Sequence, residues 1–205
     1  MNLMDVDSQR TIANQYAKNE SYQTVHPWLE GLKQQGLTPF SVTMDGHLKV
    51  IEAIKTVWPN ITIQRCLYHI QRQGLMWLRT YPKTEAGKRL RFILSELTAI
   101  RSLSDRDQWI RNYKAWQVQY ESFVKSLLSV SAAFQDLKKT MALINNALPD
   151  MFHYLKDQKI PSTTNLLESF YSRLKADYQR HRGMSSIHKI AYLQWYCYFK
   201  NINTS

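Results

Sequence analysis

The sequence predicts an α/β fold joined to a long all-α block. Two observations predict it. Residues 21–66 alternate helical and strand patterns with short connections, and beyond His69 every apolar period is helical. The 205 residues, 44% of them hydrophobic and without a low-complexity run, suffice for one domain with a full core or a core plus an insertion.

In chain order, residues 10–17 (RTIANQYA) read as a short strand. Ser21 is placed to cap an amphipathic helix with Val25, Trp28, Leu29 and Leu32 on one face and Gly36 just past its end. Thr38-Pro39 breaks the chain. Residues 40–45 then alternate, with Phe40, Val42 and Met44 apolar and Ser41 and Thr43 polar, and the strand runs into Asp45-Gly46. HLKVIEAIKTVW sets Leu48, Ile51, Ile54 and Val57 on one helical face, Pro59-Asn60 stops it, and 61–66 (ITIQRC) is a strand with Ile61 and Ile63 in phase. Helix, strand, helix, strand with such short links builds a parallel strand pair with a helical crossover.

Residues 69–79 and 84–100 read as helices, the second with Leu90, Ile93, Leu94 and Leu97 on a stripe. Ser104, with Asp107 three residues later, is the expected cap of the next helix. Its seam is Trp109, Tyr113, Trp116, Tyr120, Phe123 and Leu127. That regular period is what burial requires, so packing between helices is the expected role, with base stacking the alternative. Residues 131–155 give one helix ending near Pro149, or two short ones. The helices 164–180 and 185–200 flank an Arg-rich turn around Gly183.

Charge narrows the function. Twenty-seven Lys and Arg against 16 Asp and Glu give a net charge of +11, which calls for a polyanion, most commonly nucleic acid. Basic residues from Arg72 to Arg182 are spread along the chain, which suits a surface tracking a phosphate backbone. No apolar run approaches the roughly 18 residues of a membrane span. The start MNLMDVDSQR is not a signal peptide, and two cysteines are too few for a disulfide scaffold. A cytoplasmic, nucleoid-associated protein is expected.

Five features occur in order: Asp45-Gly46, the strand entry from Pro59 to Cys66, Cys66-x-x-His69, Thr164-Asn165-x-x-Glu168, and an Arg/Lys-rich helix followed by Gly183. Together they resemble the Mutator-like superfamily of DDE transposases, in particular the bacterial insertion-sequence enzymes. The resemblance implies a ribonuclease H-like catalytic core with a helical insertion between the second and third acidic residues. Residues 1–75 would begin the core, 76–160 form the insertion, and 161–205 complete the core. Asp45 matches the second acid and Glu168 the third, both as Mg²⁺ (or Mn²⁺) ligands. Gly46, Cys66, His69 and Asn165 would neighbour the active site, and Arg72, Arg173, Lys175, Arg180 and Arg182 would contact DNA. In such sites two hard cations about 4 Å apart activate a hydroxyl and stabilise the leaving oxygen.

Local chemistry offers alternatives. Asn165 to Glu168 is also a capping box, the reading that the residues alone favour and the resemblance reverses. Cys66 and His69 lack a second ligand pair for zinc, so a packing or hydrogen-bonding role is expected. His181, between Arg180 and Arg182, is expected beside phosphate. The family's first Asp has no match here, Asp5 and Asp7 being nearest, so the expectation is an incomplete ribonuclease H-like fold lacking its first strand. Strand 40–45 would then expose an edge. The resemblance therefore implies a transposase that cuts and joins transposon ends when its core is complete, working as a homo-oligomer on DNA. The alternative is a non-catalytic DNA-binding or regulatory remnant.

Overall fold

The structure, a computed structural model, describes residues 1–181 and 183–202. They form two compact units, one made of 1–40, 47–61 and the chain from Thr164 on, the other of 41–46 and 62–163.

In the first unit, β1 (Asn2–Met4) and β2 (Thr11–Asn14) form an antiparallel hairpin. At its turn Asp5 accepts the Ser8 amide at 2.8 Å. Helix α1 (Tyr22–Gln34) starts at Ser21 as expected. The Ser21 hydroxyl accepts the Thr24 amide and Thr24 Oγ1 accepts the Ser21 amide, which satisfies two of the donors a helix start leaves open. Gly36 sits just past its end with φ +96°, a conformation glycine adopts without penalty. Helix α2 (Leu48–Val57) turns Ala53, Ile54 and Val57 inward and packs on α1, which buries Val25 and Leu29. Lys33 fastens the pair by donating to the Val57 carbonyl at 2.7 Å. Helices α7 (Asn165–Gln179) and α8 (Ser186–Ile202) meet through Phe170, Leu174 and Cys197. Asn201 on α8 donates to the Thr11 carbonyl at 2.7 Å and accepts the Thr11 amide at 2.9 Å, which fixes β2.

In the second unit, β3 (Ser41–Met44) and β4 (Thr62–Arg65) run parallel, with Val42 opposite Ile63 and Met44 opposite Arg65. The chain between them passes through α2, so the strand, helix, strand reading holds. Among the described residues no further strand pairs with β3. The helical block follows as α3 (Leu67–Leu78), α4 (Glu85–Ser95), α5 (Leu103–Ser126) and α6 (Ala132–Ala147). The stripe Leu90, Ile93, Leu94 and Leu97 is buried in one core with Trp109, Tyr113, Trp116, Leu137 and Ile144. The chain is thus mixed α/β and dominated by helix.

Two local expectations are corrected. The helix expected over 84–100 ends at Ser95, and Leu97–Ala99 tightens into a 3₁₀ turn that buries Leu97 and leads to buried Ile100. The cap of α5 is Ser102, not Ser104. Ser102 Oγ accepts the Asp105 amide at 3.1 Å while the Asp105 carboxylate accepts the Ser102 amide at 2.9 Å. Ser104 is already helical, and Asp107 instead pairs with Arg106 at 2.7 Å. The helix expected to end near Pro149 does so: α6 ends at Ala147, and Pro149 falls in the first of two single 3₁₀ turns.

The aromatic seam splits along its length. Trp109, Tyr113 and Trp116 are buried, with successive ring centroids 5.8 and 6.2 Å apart. Each indole N–H reaches a carbonyl of α4, Trp109 to Ile93 at 2.8 Å and Trp116 to Ala86 at 2.9 Å. Phe123, two turns further on, is exposed. Core packing is therefore the role of the first three rings. Among the described residues no helix is long and apolar enough to cross a membrane.

Candidate active-site residues

The β3–β4 pair carries most of the expected site in the second unit. Register partners in a parallel pair share a face and neighbours alternate. Gln64 and Thr43 therefore share one face, and Met44 and Arg65 share the other. The Cys66 amide donates to the Met44 carbonyl at 2.8 Å, one step beyond the last paired residues. Asp45 follows directly, at the carboxyl ends of both strands, and is exposed. A parallel pair that ends in a solvent-facing carboxylate is where the α/β architecture leaves room for a ligand.

Gly46 is needed for space. A Cβ at this position would lie 1.8 Å from Nη2 and 2.5 Å from Cζ of Arg65, so the guanidinium occupies the room a side chain would fill. Arg65 is 5% exposed. Burial pushes its guanidinium down from its ordinary value, and the carboxylates of Asp150 and Asp45 oppose that shift. Among the described residues its buried Nε has no hydrogen-bond acceptor.

Cys66 is the N-cap residue of α3 and His69 lies in its first turn. The Cys-x-x-His spacing thus places both at one helix start, with Cys66 bonded to the residue before Asp45. Cys66 is buried, is not in a disulfide, and makes no side-chain cap bond. His69 is half-buried, with the Tyr68 ring edge-on at 6.1 Å. Arg72 is exposed on α3.

In the first unit, α7 carries the remaining residues. Its N-cap is Thr164, and Asn165 is the first helical residue. The capping box expected from Asn165 to Glu168 is therefore absent, because the helix begins one residue too early for Asn165 to cap it. Thr164 Oγ1 instead donates to Glu168 Oε1 at 2.9 Å, which fixes a half-buried carboxylate in the first turn. There the positive end of the helix favours its charge. Phe170 and Leu174 face inward, while Arg173, Lys175 and Arg180 are exposed. Arg173 donates to Ser169 Oγ at 3.0 Å, and Arg180 lies 3.6 Å from Asp177. The His181 ring lies 5.2 Å from that of Tyr192 on α8. Arg182 lies outside the described residues.

Asp45, Gly46 and Cys66 are thus gathered at one end of a strand pair with His69 one turn into α3, and Asn165, Glu168, Arg173 and Lys175 lie on α7 with Arg180 as its C-cap. Arg65 was missed by sequence reasoning. Its signal was present: Arg65 is in phase with Ile61 and Ile63, a charge on the apolar side of a strand.

No curated protein matches the chain. Among protein families, the model described as "Transposase, Mutator family" matches residues 4–184, a span that holds Asp45, Cys66, His69 and Glu168. With nearly its whole length matched, this chain belongs to the Mutator family of transposases.

Proposed function

We propose that the chain acts in DNA transposition as a DDE-type polynucleotidyl transferase, cutting and joining strands at transposon ends. The observation that carries the reading is Asp45, an exposed carboxylate at the carboxyl ends of two parallel strands within the family span. Residues 1–75 and 161–205 would belong to a ribonuclease H-like core and 76–160 to its helical insertion. Asp45 and Glu168 would ligate Mg²⁺ or Mn²⁺. The donor chemistry fits: both are carboxylates, the hard oxygen ligands these cations take, and Glu168 is pre-oriented by Thr164. When bound, the cation stabilises charge on the phosphoryl oxygens.

Arg72, Arg173, Lys175, Arg180 and Arg182 would hold the DNA backbone, a sequence-independent contact in which each cation contributes similarly. A homo-oligomer on paired DNA ends and a nucleoid location complete the proposal. The second reading, DNA binding without chemistry, is favoured by the exposed basic residues of α7 and its C-cap, which need no metal.

Nicking of supercoiled plasmid DNA by the full chain tests both. With Mg²⁺ or Mn²⁺, Asp45→Asn and Glu168→Gln should each cost on the order of a thousandfold in rate, the equivalent of about 4 kcal/mol. Nicking unchanged in both variants, or unaffected by a chelator, would remove the enzymatic reading. Binding without nicking in wild-type protein would establish the second.

A further inference from the structure

Arg65 has no part in that reaction scheme, yet it is a buried cation in a strand beside the candidate ligand. Arginine is almost never fully buried unless something holds it. Arg65 is 5% exposed; the carboxylates of Asp150 and Asp45 offset its charge, while its Nε lacks an acceptor among the described residues. Its seat is set by geometry. β3 and β4 pair in the register that sets Met44 opposite Arg65, and Gly46 follows two residues beyond the end of β3. Because that residue is glycine, the guanidinium fits over the backbone immediately after Asp45. A Cβ at 46 would force the guanidinium to shift from this seat.

We infer that Arg65 is a positioning residue: its guanidinium, seated on Gly46, fixes the backbone from which the Asp45 carboxylate projects. The inference rests on the reading of Asp45 as a metal ligand. Gly46 is the seat and Arg65 the clamp, and the two act as one unit. A supporting group outside the ligand shell commonly governs metal affinity and activity by about 10–100-fold.

Mn²⁺ binding to the full chain without DNA, followed by the electron paramagnetic resonance of free Mn²⁺, tests this. Circular dichroism melts would restrict the comparison to folded protein. The sign discriminates. Removing a nearby positive charge strengthens cation binding by Coulomb attraction, whereas losing the clamp weakens it. Arg65→Gln should therefore weaken Mn²⁺ about tenfold or more. Gly46→Ala, which keeps the charge but evicts the guanidinium, should do the same, and the double variant should be no worse than the weaker single one. In plasmid nicking both should lower kcat with KM for DNA nearly unchanged.

Unchanged or tighter Mn²⁺ binding in Arg65→Gln, with Asp45→Asn weakened, overturns the inference and leaves the function standing. If Arg65→Gln does not fold, Gly46→Ala decides alone, and wild-type Mn²⁺ affinity there overturns the inference. If Asp45→Asn binds Mn²⁺ like the wild type, the metal-ligand reading fails and this inference falls with it.

Discussion

Gln64, inside β4, donates its side-chain amide to the carbonyl of Met151 at 2.7 Å, across 87 residues of chain. The same nitrogen donates to the Arg65 carbonyl at 2.8 Å, and the side-chain oxygen accepts the Tyr154 amide at 3.2 Å. Gln64 is completely buried. A polar side chain thus joins the helical block's last segment to the strand that leads to Cys66.

Replacing Gln64 by Leu should therefore be costly. The Met151 carbonyl and the Tyr154 amide would lose their partner, at about 1–3 kcal/mol per buried group. Urea unfolding should show a loss of roughly 2–5 kcal/mol at a similar m-value. A loss within about 0.5 kcal/mol, the range of an ordinary surface change, would mean the bridge is not formed.

The seam on α5 gives a second test. Trp116→Phe keeps most of the ring but removes the N–H held by the Ala86 carbonyl, so thermal unfolding should show a loss of about 1–3 kcal/mol. DNA affinity should not change, because this ring is buried and presents no face to a base. A variant with normal stability and weakened DNA binding would restore the stacking role.

The start of α5 should respond to acid. Asp105 is held below the usual carboxylate range by the backbone amide of Arg101, then by the Ser102 side chain. Because its folded value is depressed, its contribution is present above the unfolded carboxylate value of about 3.9 and is lost as pH falls through the folded value. Amide protection factors at the helix start, which divide out the intrinsic pH dependence of exchange, should fall through that acid window. Asp105→Ala should show fast exchange already at neutral pH, without the added acid response. Ser102→Ala should cost about 1 kcal/mol and Ser104→Ala much less, which separates the true cap from its neighbour.

The exposed basic residues of α7 and its C-cap should behave as phosphate contacts. Arg173→Ala, Lys175→Ala and Arg180→Ala should each weaken binding to unrelated duplexes alike and lower the salt slope by about one. Fluorescence anisotropy from low to moderate salt reads both quantities. A loss confined to one DNA sequence would instead indicate base readout.

What the sequence determined alone were the features set by neighbours a few residues apart. The stripe of Leu90, Ile93, Leu94 and Leu97, the Ser21 cap, the stop at Gly36 and a strand that leads into Asp45, though over 41–44 rather than 40–45, all depend on local period and backbone preference, and all are found. The family signature was legible for the same reason, as short motifs in order. Where two local solutions competed, tertiary contacts chose. Ser102-x-x-Asp105 and Ser104-x-x-Asp107 are near-equivalent caps, and the helix takes the first, two residues after buried Ile100. Thr164 displaces Asn165 as cap by one residue. Only the fold brings Arg65 onto Gly46, because the residues are far apart in the chain until β3 and β4 pair, and a periodicity in one strand carries no record of the space left by a missing Cβ in the other.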